Sequence, residues 1–520
     1  LVPGSRILLE VVDGLRRQRA ALFRKGSAGL WHEQLAPKAA LFFLMAFVNT
    51  LLDAAKDTLV ITSGGVQQLP FLMTWVVFPC SVLFLLAFTA VSNRCSRGRT
   101  FNVVISAFCS FFLLFTFVLF PLRESLHPTA AAASLAAALP PGLYGAVLCF
   151  RDWTFSLFYV ASELWGDVVL SLLFWGMAND TTRIRDAPLL YPLFGIGANV
   201  AQAAAGLCLK ALAFGAHAAG LQGDAAWSVK LRVLCLVACA ACVAIVGLHA
   251  SIIRRAEAGG EVSGRAAPAG PAKSGSAPSP SLRQSLATVG ASPQIQALAA
   301  CAVAQGIANV LHEFAWKDLI RQLHPTPDAY SSYMGDVATF TGLLSVALML
   351  SSPVIFARLR WFGAASASPR ILLWGGALFF AAAVARAHAP AAMAPALLAP
   401  LVLAGSTLFV CARASKYALW KPSEEMVYIS LDHASRTRGK AAIDVVANQF
   451  GKSGGSLGTQ GLLVLCGGSL SAALPVISLA FLACVTRWLG AVARLEQYRG
   501  GAGGEEQAKT GAHGEAPGET

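Results

Sequence analysis

Runs of about twenty mostly apolar residues recur along the whole of this chain, and each is long enough to cross a bilayer. In hydrocarbon every backbone N–H and C=O must be satisfied internally, so only helices and closed barrels can span. A barrel would show short alternating strands, which are not seen here. The runs lie near 39–61, 70–91, 102–121, 152–178, 188–214 and 230–252, then near 295–316, 334–356, 371–388, 391–412, 441–465 and 469–491. The chain is 56% hydrophobic and only 13% charged, where soluble domains carry about 25% charged residues. The expected fold class is therefore all-α, a polytopic membrane protein of twelve transmembrane helices.

Charge placement sets the topology. With both termini on one side, that side receives Arg16, Arg17, Arg19, Arg24 and Lys25, then Arg94, Arg97 and Arg99, then Arg183 and Arg185. It also receives Arg254, Arg255, Lys273, Arg283, Arg358, Arg360, Arg370, Arg436, Arg438, Lys440, Arg494 and Arg499. The opposite side is assigned Arg123, Lys317, Arg321 and Arg386. Basic residues concentrate in cytoplasmic-type loops. This places both termini on the positive-inside face and accounts for the net charge of +13 without a nucleic-acid partner. The chain starts without methionine, which reads as processing or truncation. Its basic first forty residues, which include Glu10, Asp13 and Glu33, leave a transit-peptide remnant open.

The stretch 254–293 is rich in Gly, Pro, Ala and Ser and reads as a flexible linker. The expected organisation is a basic segment at 1–38, six helices over 39–253, the linker, six helices over 294–499 and a disordered polar tail over 500–520. The two halves repeat. Asn49, Asp53 and Lys56-Asp57 of the first span correspond to Asn309, Glu313 and Lys317-Asp318 of the seventh, with a one-residue slip. "TTRIR" (181–185) corresponds to "ASRTR" (434–438), an offset that also carries Glu163 onto Lys416 and Asn199 onto Lys452. Parallel six-plus-six repeats are the plan of the major-facilitator type of carrier, with the site between the halves near the midplane.

Within that plan the charges buried in apolar runs become intelligible. Asp53 and Lys56 belong to the first span, Glu163 to the fourth, Glu313 to the seventh and Lys416 to the end of the tenth. These are the spans that line the central cavity of such a carrier. An intramembrane charge is costly and normally faces a cavity and pairs there. Asp53, Asp57, Lys317 and Asp167 fit helix-locking ion pairs, whereas Glu163, Glu313 and Lys56 fit a transport site. Lys452, in an apolar helix, needs an anion.

Catalytic readings fail on spacing. "GKSGGS" (451–456) resembles a phosphate loop, but a Walker A requires glycine at 446, where valine stands, and no strand precedes it. Gly451, Gly454, Gly455 and Gly458 have the spacing of close helix contacts instead. His32-Glu33 and His312-Glu313 lack the second histidine of a zinc-protease motif. Cys239 and Cys242 form C-x-x-C inside an apolar span with no second pair, which favours core residues over a metal or redox site. No cofactor is expected, and no repeated filter sequence suggests a channel.

Six stretches carry a resemblance: "KDTLVIT" (56–62), "PFLMTWVVFP" (70–79), "FYVASELWGDVVLSLLFWGMAN" (158–179), "YPLFGIGANV" (191–200), "WKDLIRQLHPTPDAYSSYMGD" (316–336) and the region 416–457. Together they resemble the ATP/ADP translocase-type nucleotide transporters of plastids and obligate intracellular bacteria. The resemblance covers both halves. It implies counter-exchange of ATP and ADP by alternating access, with Lys56, Glu163, Asn199, Glu313 and Lys452 binding substrate. Lys416, Lys440, Asp444, Asp53 and Lys317 are further cavity or gate candidates. The chain departs from the family pattern at Asp167, where a small residue is usual, at "APLLYPLFG", which lacks a basic pair, and at Lys421 in "KPSEEM", where aspartate is common. Family members differ in whether they return phosphate with ADP, accept several nucleotides or co-transport protons. A broad nucleoside triphosphate importer and a non-transporting scaffold or receptor are the alternatives. The Ala- and Pro-rich composition leans towards a plastid inner envelope, with a bacterial-type inner membrane as the other setting.

Overall fold

A computed structural model describes residues 35–182, 187–258, 292–390, 392–429, 443 and 447–512. Twelve long helices follow one another: α1 (Ala36–Gly64), α2 (Gln68–Arg94), α3 (Arg97–Leu119), α4 (Trp153–Thr181), α5 (Ala187–Ala218) and α6 (Gly223–Ala258) in the first half. The second half has α7 (Pro293–Leu323), α8 (Pro327–Ala365), α9 (Ala367–Ala387), α10 (Leu398–Tyr428), α11 (Asn448–Leu465) and α12 (Leu470–Ala512). No strand occurs among the described residues. Among the described residues, eleven helices are long and apolar enough to cross a membrane by length and composition. The twelfth, α11, is the exception: its glycines, serines, glutamines and Lys452 make it too polar on its own. It is held by its neighbours instead, with Gly306 and Gly451 bringing the backbones of α7 and α11 together.

The helices form two six-helix bundles of major-facilitator type. In the first, α1 packs on α4, α5 and α6, and α6 on α3; in the second, α7 packs on α10, α11 and α12, and α9 on α10 and α12. The apolar residues left outside belong where lipid would lie: on α2, Trp75, Leu83 and Leu86 are strongly exposed. The end of the molecule carrying loops 120–152, 219–222, 324–326, 388–397 and 466–469 is termed outer here. The opposite end, where residues 95–96 join α2 to α3 and Ser366 joins α8 to α9, is termed inner. α1 begins and α12 ends at the inner end.

Some boundaries differ from the sequence expectation. α6 continues to Ala258 and α12 to Ala512, past 253 and 499. Residues 259–291, most of the expected linker, lie outside the described residues, as do 1–34 and 513–520. α10 runs sixteen residues beyond the expected edge at 412, so Lys416 is well inside the helix rather than at its end. The polar run "KYALWKPSEE" hides this continuation from a hydropathy reading: Lys416 and Tyr417 border a cavity, and Lys421 pairs with Glu424 at 2.8 Å. Basic residues at the outer end are also more numerous than expected. Arg151, Lys210 and Lys230 join Arg123, Arg321 and Arg386 there. They are neutralised locally, by Asp152 at 2.7 Å, Asp336 at 2.5 Å and Asp328 at 3.4 Å respectively.

The halves meet most extensively where α5 crosses α8. A Cβ on Gly206 would lie 2.4 Å from the Gly335 carbonyl oxygen, and one on Gly342 would lie 2.5 Å from that of Asn199. Only glycine permits so close an approach of backbones. Gly206→Ala should therefore push α5 off α8. Overpacking of this kind costs about 1–3 kcal/mol, which should appear as a lower thermal midpoint of the purified protein. An unchanged midpoint would show that the seam is looser than it is drawn here.

Candidate functional site

Asn49, Asp53 and Lys56 lie along one face of α1, the i, i+4 and i+3 neighbours of a helix. Asn49 donates to Asp53 Oδ2 at 3.1 Å, and Lys56 Nζ lies 3.1 Å from Asp53 Oδ1. Lys56 also reaches α4, where its Nζ donates to Glu163 Oε1 at 2.5 Å and sits 4.7 Å from the ring centre of Tyr159. Lys56 is 6% exposed, so both carboxylates are needed to offset its desolvation. The charge that the sequence leaves unexplained at Glu163 is thus answered by Lys56, not by its repeat mate Lys416.

The second half repeats the motif with one change. Lys317 lies 3.1 Å from Glu313 on its own helix, as Lys56 lies beside Asp53. Lys416 occupies the position equivalent to Glu163, so α10 offers Lys317 no carboxylate. Lys317 instead crosses between the halves to Asp57 of α1, at 2.8 Å. Both residues are buried, at 7% and 4% exposure. Sequence reading took Asp57 and Lys317 for a helix lock; they are a lock between the two bundles.

This charge reversal makes the space between the halves bipolar. On the first half it is bordered by Asp53, Glu163 and, one turn further towards the inner end, the exposed Asp167. Asp167 forms no hydrogen bond or ion pair among the described residues, so the helix-locking role expected for it is not realised there. On the second half stand Arg413 and Lys416 of α10 and the exposed Lys452 of α11. The positive charge of Lys452 acts on Glu163 and Asp167 across the gap. Arg413, Lys416 and Tyr417 border a small cavity of about 40 Å³ together with Gln305, Asn309, His312 and Glu313 of α7.

Helix geometry helps to place these groups. Four stretches described from end to end are wound as π-helix: Leu72–Val77, Phe115–Leu119, Trp165–Phe174 and Lys416–Trp420. Three of them run up to a proline two residues further on, Pro79, Pro121 and Pro422, which has no N–H to give the preceding turn. The fourth has no proline. It begins two residues after Glu163, whereas the one in α10 begins at the repeat mate of Glu163, Lys416 itself. π-Turns gather at functional sites because they rotate a helix face relative to the turns before it.

The remaining candidates are placed apart. Asn199 is 7% exposed in the α5–α8 seam, donating to the Gly195 carbonyl at 2.9 Å, and does not join the ion cluster. Lys440 and Asp444 lie outside the described residues. Sequence reasoning missed Arg413 and Tyr159. Arg413 stands at the edge of the apolar run 391–412, where it reads as a loop cation. Tyr159 is one turn before Glu163 in an aromatic-rich span with nothing to single it out.

Contacts between the halves close the outer end. Beyond Asp57–Lys317, Gln460 of α11 donates to the Pro70 carbonyl at 2.7 Å and accepts from Trp75 of α2 at 3.0 Å. Gln67 donates to the Gly468 carbonyl at 2.9 Å, and Lys210 pairs with Asp336.

Comparisons with known proteins agree with this architecture. A bacterial homologue of the iron transporter ferroportin, solved in an inward-facing state, superposes with a TM-score of 0.53 over 88% of this chain and 98% of its own, at 14% identity. That likeness shows the fold alone. ADP,ATP carrier protein 1 of Chlamydia muridarum is 37% identical over 489 residues, 91% of each chain. The plastidic ATP/ADP-transporter of Solanum tuberosum is 38% identical over 471 residues, 89% of this chain and 73% of that one. The TLC ATP/ADP transporter profile matches residues 28–498. This chain belongs to the TLC ATP/ADP transporter family, a family of multi-pass membrane carriers and not of enzymes.

Proposed function

We propose that this protein exchanges ATP for ADP across a membrane by alternating access. The observation that carries the reading is the bipolar cavity: a wall of Arg413, Lys416 and Lys452 facing Glu163 and Asp53, closed on one side by Asp57–Lys317. Polyanionic phosphates need fixed cations, and lysine and arginine supply them without a metal. The opposing carboxylates hold Lys56 and Lys317 while no substrate is bound, and Glu163 and Glu313 can accept from the amino group of an adenine. Lys56, Glu163, Glu313 and Lys452 then form the substrate site, with Asn199 acting from the seam as the halves separate. Each half, 39–253 and 294–499, rocks as a unit. The names of the plastid relatives favour a plastid envelope, with the positive-inside face holding both termini. Phosphate travelling with ADP fits the excess of cations on the second half.

An empty bipolar cavity is costly to occlude, because unmatched charges would be desolvated. Exchange should therefore require substrate on both sides. Uptake of labelled ATP into vesicles holding purified protein should rise at least about tenfold when the vesicles are preloaded with ADP, an effect of about 1.4 kcal/mol on the return step. Equal uptake into empty vesicles would favour uniport or proton symport of nucleoside triphosphates. No uptake of any nucleotide would point to a scaffold.

A further inference from the structure

The cavity of the second half holds more polar groups than its ion pairs use. His312 and Ser368 line it, at 2% and 1% exposure, and neither His312 Nε2 nor Ser368 Oγ has a hydrogen-bond partner. Arg413 lines it too, and its buried Nε is likewise without a partner. Three buried polar atoms from α7, α9 and α10 thus border one small space. An unpartnered buried polar group costs about 1–3 kcal/mol, and three in one cavity mark a ligand position more readily than a packing fault. All three can be donors: an arginine N–H, a hydroxyl and, in the Nε2–H tautomer, an imidazole. Lys416 adds a point charge, and Asn309 and Gln305 add amides. Glu313 lines the cavity as well, but its Oε2 is held by Lys317 at 3.1 Å, which offsets its charge.

A cavity bordered by donors and cations and braced by the stacked rings of Trp316 and Phe409, 4.6 Å apart, suits a compact oxyanion. We propose that this cavity is a subsite for a tetrahedral phosphate group, held by Arg413, Ser368 and His312. The group is either the terminal phosphate of a bound nucleotide or free inorganic phosphate. The inference rests on the reading of the protein as a nucleotide exchanger and adds the residues that count phosphates. The arrangement makes Arg413 a specificity-determining residue: a nucleotide that reaches the subsite gains its guanidinium, and a shorter one does not.

The test is equilibrium binding of ATP, ADP, AMP and inorganic phosphate to the purified full-length protein, wild type beside Arg413→Gln, Arg413→Lys and Ser368→Ala. A charge-assisted contact of this kind corresponds to about a tenfold to hundredfold change in affinity. If the terminal phosphate occupies the subsite, Arg413→Gln weakens ATP binding at least about tenfold and AMP binding less than about threefold, and Arg413→Lys recovers part of the loss. If free phosphate occupies it, added phosphate strengthens ADP binding by the wild type, and Arg413→Gln abolishes that effect. Ser368→Ala separates a ligand role from a structural one. Deleting an unsatisfied buried hydroxyl should raise or preserve the thermal midpoint of the empty protein, yet weaken ligand binding. Ser368→Ala also keeps the proposal testable should Arg413→Gln fail to fold. The proposal is overturned if neither Arg413→Gln nor Ser368→Ala changes the binding of any of the four ligands by more than about threefold, while the wild type exchanges ATP normally. A wild type that binds no nucleotide would overturn the exchanger reading and this one with it.

Discussion

Replacing Glu163 with glutamine should lower ATP/ADP exchange per folded molecule by at least about 100-fold, a barrier increase of about 2.7 kcal/mol. The protein should nevertheless insert and fold. Lys56 keeps Asp53 at 3.1 Å after the change, and a glutamine oxygen still accepts its hydrogen bond. What is lost is the charge that binds Lys56 when no nucleotide neutralises the opposite wall. Nucleotide binding should change much less than exchange, because the carboxylate is needed to pass between states rather than to hold substrate. Paired binding and exchange measurements on matched amounts of purified protein decide the matter. Normal exchange per folded molecule would show Glu163 to be structural only.

Lys317→Gln should release the outer end. Asp57 would then be a buried carboxylate whose only ion-pair partner among the described residues is gone, and breaking a buried pair costs about 3–5 kcal/mol. The penalty falls on the outer-closed state, since opening hydrates Asp57. A bias of that size is enough to invert a two-state population. Spin-label distances between the outer ends of α2 and α11 should lengthen in most molecules, and exchange should fall because the outer end no longer reseals. The double variant Asp57→Asn, Lys317→Gln leaves no unmatched carboxylate at the seam and should recover part of the closed population. Outer distances unchanged in Lys317→Gln would show that the α2–α11 and α5–α8 contacts alone hold the seal.

Both predictions concern ions that hydropathy marks as anomalies, and this is why much of the site was legible beforehand. A charge in an apolar run advertises itself by its cost, so Lys56, Glu163, Glu313 and Lys317 stood out from the sequence, and the repeat told which helices they share. Residues that cost nothing to place stayed hidden. Tyr159 looks like any aromatic of a membrane span, and His312, Ser368 and Arg413 are ordinary until they are seen round one cavity. Asn199 illustrates the reverse case. The repeat matched it to Lys452, but the tight crossing of α5 and α8 carried it into the seam.

Hydropathy and loop charge are enough to give the helices, their number and their grouping, because lipid leaves a spanning backbone almost no alternative. They also mark which charges must find partners. The identity of those partners comes from the packing of the helices. Glu163 and Asp57 are each compatible with several lysines by sequence. The fold gives Lys56 to the first, at 2.5 Å within one bundle, and Lys317 to the second, at 2.8 Å between bundles. The reason is geometric: a buried ion pair depends on side chains from separate helices meeting within a few ångströms, and that distance is set by how glycines, prolines and π-turns pack and rotate whole helices, not by spacing along the chain.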